Sequence, residues 1–223
     1  MKKIIFSLIC ILFIFIPFKE SRALQSGDLV KSPEFSSVYR IESDGKRHAF
    51  PNESIYFSWY KDFSAVRTIP LTELQSYQLG KNVTFRVGSL LKIPSVPKVY
   101  EVMTDDGKVT WIKTEADFYA QGFNFGMVKD LNESFWDGYQ ELPEGSVCIA
   151  FLSEDSCFEK KFTACTTDSF FKLVVQGVTE IKQIIGPESG GCKIVSKIAI
   201  HPNPTCEGKS MSCSYNNTLS FNA

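Results

Sequence analysis

Between residues 38 and 50 the apolar and polar positions trace a strand, a turn and a second strand. Val38 to Ser43 mixes apolar and polar residues as a half-buried strand does. Asp44-Gly45 is a dipeptide that tolerates positive φ, and Lys46 to Phe50 reads as the return strand. The same design recurs at Val99 to Thr104, Asp106-Gly107 and Lys108 to Ile112. A short helix should follow each hairpin. Asn52 is a suitable N-cap for the first, with Glu53 in its opening turn; Thr114 caps the second, with Glu115 and Asp117 behind it and Gly122 as its stop. Extended pieces are predicted at Ala65 to Ile69 and Met127 to Leu131, then second short helices at Leu71 to Tyr77 and Glu133 to Tyr139.

These correspondences belong to one register. Leu29-Val30-Lys31-Ser32-Pro33 aligns with Leu90-Leu91-Lys92-Ile93-Pro94 at an offset of 61, as does Val38-Tyr39 with Val99-Tyr100. After one inserted residue the offset is 62, pairing Asp44-Gly45-Lys46 with Asp106-Gly107-Lys108, Phe57 with Tyr119, Phe63 with Phe125 and Val66 with Val128. The register continues to Tyr77-Gln78 and Tyr139-Gln140. Two tandem ββα-type repeats are therefore expected, over 24–88 and 89–145. The pattern Leu-x-Lys, Val-Tyr-x-Ile, Asp-Gly-Lys-Arg, then an aromatic helix and Asp-Phe-Ser-x-Val resembles a repeat of predicted secreted or surface proteins of bacteria. Unit two departs from it where Val109-Thr110 replaces Arg47-His48. The resemblance implies an extracellular location and a modular architecture more than an activity.

Beyond Leu142-Pro143-Glu144-Gly145 the composition changes. Phe170 to Gln176, Thr179 to Ile185 and Cys192 to Ile200 read as strands, Met211 to Tyr215 as a last short one, and Pro187 to Gly191 as a turn. Cys148, Cys157, Cys165, Cys192, Cys206 and Cys213 all fall here, an even number in a short segment, which predicts a disulfide framework. Six cysteines allow 15 pairings, and spacing does not choose among them. Residues 146–223 are thus expected to form a small antiparallel, disulfide-stabilised β domain. The segment from Phe162 to Cys213 also resembles a small domain of unknown function in exported bacterial proteins. The fold class expected for the whole is α+β and β-rich.

The N-terminus adds the compartment. Lys2 and Lys3 precede a charge-free apolar stretch of 15 residues, Ile4 to Phe18, and Ser21-Arg22-Ala23 offers small residues where a signal peptidase reads them. Residues 1–23 read as a signal peptide, and only its retention would leave a membrane anchor. Its removal takes four bases and one acid, leaving 20 bases against 24 acids. A mildly acidic chain is a poor nucleic-acid binder, because phosphate neutralisation needs clustered bases.

Candidate chemistry is sparse. No nucleophile elbow, zinc-protease, phosphate-loop or dinucleotide fingerprint occurs, so no catalytic residue, metal or cofactor is expected. His48 faces Thr110 in the repeat register and reads as a surface residue; His201 sits among prolines. Aromatics crowd both units, and most should build the core. Trp59 and Tyr60 align with Gln121 and Gly122, so they are the candidates for exposed, unit-specific ligand contacts. The expected function is non-enzymatic binding of a surface protein or envelope glycan by a secreted, periplasmic or surface protein. A structural or scaffold component of the envelope is the alternative, and a hydrolase or hydrolase inhibitor a more distant one.

Overall fold

The structure, a computed structural model, describes residues 23–150, 156–175, 178–189, 191–200 and 209–215. The expected signal peptide, apart from Ala23, lies outside the described residues, as do His201 and Cys206.

The first unit holds β1 (Leu29–Lys31), β2 (Tyr39–Ile41), β3 (Arg47–Ala49), α1 (Glu53–Trp59), β4 (Val66–Thr68) and α2 (Leu71–Ser76). Its sheet runs β3-β2-β1-β4, with β1 antiparallel to β2 and parallel to β4. A parallel partner needs a crossover connection, and the hairpin with α1 supplies it. The turn is as predicted: Gly45 has φ +71, its N–H donates to the Glu42 carbonyl, and the Asp44 side chain accepts from the Lys46 N–H. Asn52 caps α1 by accepting from the Ile55 N–H at 2.9 Å, a contact worth about 1 kcal/mol.

The second unit holds β5 (Leu90–Lys92), β6 (Val99–Val102), β7 (Lys108–Ile112), α3 (Glu115–Ala120), β8 (Val128–Asp130) and β9 (Gln140–Glu141). Two 3₁₀ turns, Phe125–Met127 and Glu133–Gly138, complete it. The second of these stands where a second short helix is expected, and it takes the 3₁₀ form. The sheet runs β8-β5-β6-β7-β9. Strand by strand the two units share element order and register: Leu29 opposes Arg40 and Val66, while Leu90 opposes Glu101 and Val128. Even the edge corresponds, since the β7–β9 pair has a single parallel bridge, Arg47 to Leu79, as its counterpart. Each unit is thus a strand, a hairpin, a helix and a closing parallel strand, larger than the ββα expected.

Strands of three residues cannot hold a sheet alone, and the core explains their persistence. One apolar cluster joins Leu29, Val38, Phe50, Ile55 and Tyr56 to Leu91, Tyr100, Val102, Val109, Leu131 and Tyr139 across the two units. Val83 and Phe85 of the connecting segment complete it. Burying each such side chain contributes roughly 1.5–3 kcal/mol.

The third sheet is β10 (Val147–Ala150), β11 (Ser169–Val175), β12 (Val178–Glu188), β13 (Gly191–Ile200) and β14 (Ser210–Tyr215), hydrogen-bonded in that order. It is mixed, which corrects the antiparallel expectation: β10 runs parallel to β11, with α4 (Ser156–Thr163) in the crossover. The expected turn at Pro187 to Gly191 is also shorter, because Pro187 pairs with Cys192 and Glu188 with Gly191. A proline is tolerated there because the register shifts just before it, between Ile184 and Gly186.

Among the described residues two disulfides are formed, Cys148–Cys157 and Cys165–Cys192. They fasten α4 and the turn after it to β10 and β13, and their sulfurs pack with Phe162, Ile184 and Ile194 as a small core. Cys213 is the backbone register partner of Ile194 in the β13–β14 ladder. The domain meets unit two through a separate cluster in which Val87, Met103 and Leu142 touch Phe170, Ile181 and Ala199.

Candidate functional site

α1 buries Ile55 and Tyr56 on its inner face. Trp59, one turn later, falls at the edge of that face, and Tyr60 leaves the helix in extended conformation. Both are half-buried, which corrects the expectation that they are exposed. The Trp59 Nε1–H donates to the Thr84 carbonyl at 2.8 Å, and Tyr60 packs edge-on against Phe50 at 6.0 Å between ring centres. Trp59 also carries the Arg40 guanidinium over its ring, 4.3 Å from the centre. Arg40 in turn pairs with Glu42.

The two rings nonetheless open onto the same space, a cleft of about 800 Å³ between the units. Arg40, Glu42 and His48 of the first hairpin form one side, and Lys81 to Thr84 of the connecting segment form the floor. Asp105 and Asp106 of the second hairpin turn and Asp137 to Gln140 form the other side. The walls are fixed by cross-unit hydrogen bonds. Thr84 Oγ1 donates to the Asp105 carbonyl at 2.9 Å, and the Phe85 N–H donates to the Tyr139 hydroxyl at 2.9 Å. Lys197 of β13 pairs with Asp105 and lies 5.7 Å from the Trp59 ring, so the third sheet supports the same corner.

Titration follows these contacts. The Lys46 N–H donates to Asp44 and holds its carboxyl below the usual range against some desolvation; His48, 3.1 Å away, acts in the same direction. Burial pushes the Tyr139 phenol up to about 12, opposed only by the Phe85 N–H.

Chemically, the cleft is polar and ring-lined. It offers two aromatic rings, a planar guanidinium, several carboxylates and backbone carbonyls, the mixture that fits a polyhydroxylated or peptidic ligand. Asp105 is held by Lys197. Among the described residues no group of three or more His, Cys, Asp and Glu side chains converges as a metal set.

The two candidates from the sequence, Trp59 and Tyr60, line this cleft; Arg40, Thr84 and Asp105, which line it too, and Lys197, which pairs with Asp105, were not singled out there. It also misplaced the exposed rings. Phe57 and Phe63 are 47% and 44% exposed, and their register partners Tyr119 and Phe125 are 54% and 53% exposed. In each unit the pair rests on a more buried ring: Phe63 stacks on Tyr56 at 4.4 Å, and Phe125 on Phe118 at 4.8 Å.

No protein-family model matches the chain, and no curated protein matches it. Among solved structures, the chain is similar to the periplasmic assembly of the ESX-5 inner membrane complex at 11% identity and a TM-score of 0.24. The match covers 86% of this chain and 44% of that one, so this chain spans less than half the length of the protein it matches. A likeness at that level carries no argument about fold or role. Disulfides form and persist in oxidising compartments, so the two bonds point to maturation outside a reducing cytoplasm. Among the described residues no helix is long and apolar enough to cross a membrane.

Proposed function

We propose that the chain is an exported, non-enzymatic binding protein of the cell envelope, and that the cleft between two tandem copies of one structural unit takes its ligand. The observation that carries this reading is the convergence of Trp59, Tyr60 and Arg40 with the carboxylates of the second hairpin turn in one polar, ring-lined cleft. The ligand class that suits it best is an envelope glycan. A sugar's apolar face stacks on a ring while its hydroxyls reach carboxylate and carbonyl acceptors. The register between the units supports reading them as duplicated copies, and the disulfides support export.

A structural or scaffold role in the envelope is the second reading, favoured by the ring pairs that both units expose at matching positions. The test is a panel of soluble envelope-glycan fragments and short peptides titrated against the exported chain while Trp fluorescence is followed. Saturable binding of a glycan that shields the cleft from hydrogen exchange supports the first reading. Binding of none, with a protein partner instead protecting Phe57 and Tyr119, favours the second.

A further inference from the structure

Lys172 is the charged group that the binding reading leaves without a role. It lies on β11 and is fully buried. Its ammonium donates to Glu101 Oε1 at 2.6 Å, to Glu101 Oε2 at 2.8 Å and to Gln121 Oε1 at 2.8 Å. Glu101 on β6 is 1% exposed, and Gln121, which ends α3, is 5% exposed. The Phe123 ring closes the site 4.4 Å from the ammonium. Gln121 Nε2 donates to the Asp117 carbonyl at 3.0 Å, which fixes the carboxamide plane. An ion pair buried this fully gives up a large hydration energy, and Glu101 alone would have answered the lysine. A primary carboxamide on the third ammonium proton is the added feature.

An amine, a carboxamide and a carboxylate held together out of water against the Phe123 ring are the three groups that an amide exchange requires. We infer that this site forms an intramolecular isopeptide bond between Lys172 Nζ and Gln121 Cδ, with Glu101 as the proton carrier. Glu101 takes one proton from the ammonium, leaving an amine. The amine attacks Cδ of Gln121. Glu101 then protonates the carboxamide nitrogen, the Cδ–Nε2 bond breaks and ammonia leaves. The remaining extra proton on Nζ passes to Glu101, which keeps it and faces the new amide. An ion pair and a carboxamide thus become an amide, a carboxylic acid and ammonia, all neutral, with no oxidant, reductant or cofactor. Proximity supplies the rate, since held reactants reach effective concentrations far above any in solution. Ammonia has an exit, because Glu101 and Gln121 also line a cleft of about 600 Å³.

The bond would tie the second unit to the disulfide domain by a link that reduction does not break. The experiment is the intact mass of the exported chain, denatured and fully reduced. The expected mass is about 17 Da below that of the linear polypeptide, the loss of one ammonia. Fragmentation should give a branched tryptic peptide joining the segments that contain Gln121 and Lys172. Gln121→Ala keeps the ion pair and should fold while retaining the full linear mass. A folded wild-type chain of full linear mass overturns the inference. So does a loss of about 18 Da placed between Lys172 and Glu101, because that identifies the wrong acyl group.

Discussion

Removing each disulfide in turn should destabilise the protein unequally, and the structure sets the order. Cys165 and Cys192 are 27 residues apart in sequence, while Cys148 and Cys157 are 9 apart. The entropy a cross-link removes from the unfolded chain grows with the logarithm of the loop it closes. Loops of about 28 and 10 residues correspond to about 3.6 and 2.7 kcal/mol at room temperature. Packing widens the gap. Cys165 and Cys192 are both buried within the small core, whereas Cys157 is only half-buried. The pair Cys165→Ala/Cys192→Ala should therefore cost at least about 1 kcal/mol more than Cys148→Ala/Cys157→Ala. Urea unfolding of the exported protein, followed by circular dichroism, reads the difference as a shift in midpoint at comparable slope. A larger loss from the Cys148–Cys157 pair would refute this reasoning. Losses below about 1 kcal/mol from both pairs would show that the sheet and its clusters hold the domain without the cross-links.

Four further outcomes are expected. Gly107→Ala should cost at least about 2 kcal/mol, because Gly107 has φ +89 and an added Cβ would stand 2.4 Å from the Gly138 carbonyl. Gly45→Ala, at φ +71 with nothing within 4 Å, should cost only about 1 kcal/mol, both changes being read from thermal melts. Asn52→Ala should lose about 1 kcal/mol in chemical unfolding, with increased amide exchange at Ile55. Tyr139 should escape ultraviolet titration until about pH 12; as its folded pKa lies above the unfolded value, its stabilisation is complete below about pH 10 and is lost between there and pH 12.

Local signals in the sequence carried well into the structure. The hairpin turns at Asp44-Gly45 and Asp106-Gly107 and the caps at Asn52 and Thr114 are short-range devices, and each stands where its residues place it. What stayed hidden depends on distance along the chain. Strands β1 and β5 are three residues long, too short to show a period. β10 pairs in parallel across a helix, which alternation in one segment cannot reveal. The cysteines announced disulfides in kind, but their pairing waits on where α4 lies against β13. Phe57 and Phe63 read as core because aromatics usually are, yet the core beneath them is already filled by Tyr56. Arg40 and Glu101 occupy the same place in the two hairpins. One stacks on Trp59 and the other meets Lys172, a difference set by partners far along the chain.

The central claim is that the cleft between the two units is the ligand site, and it rests most directly on Tyr60 and the rim carboxylate Asp106. Calorimetric titration of a bound glycan fragment should show affinity falling at least about tenfold in both Tyr60→Ala and Asp106→Ala, a loss of about 1.4 kcal/mol each. Their melting temperatures serve to check that the fold is kept. Wild-type affinity in both variants, with the glycan still bound, would contradict the account.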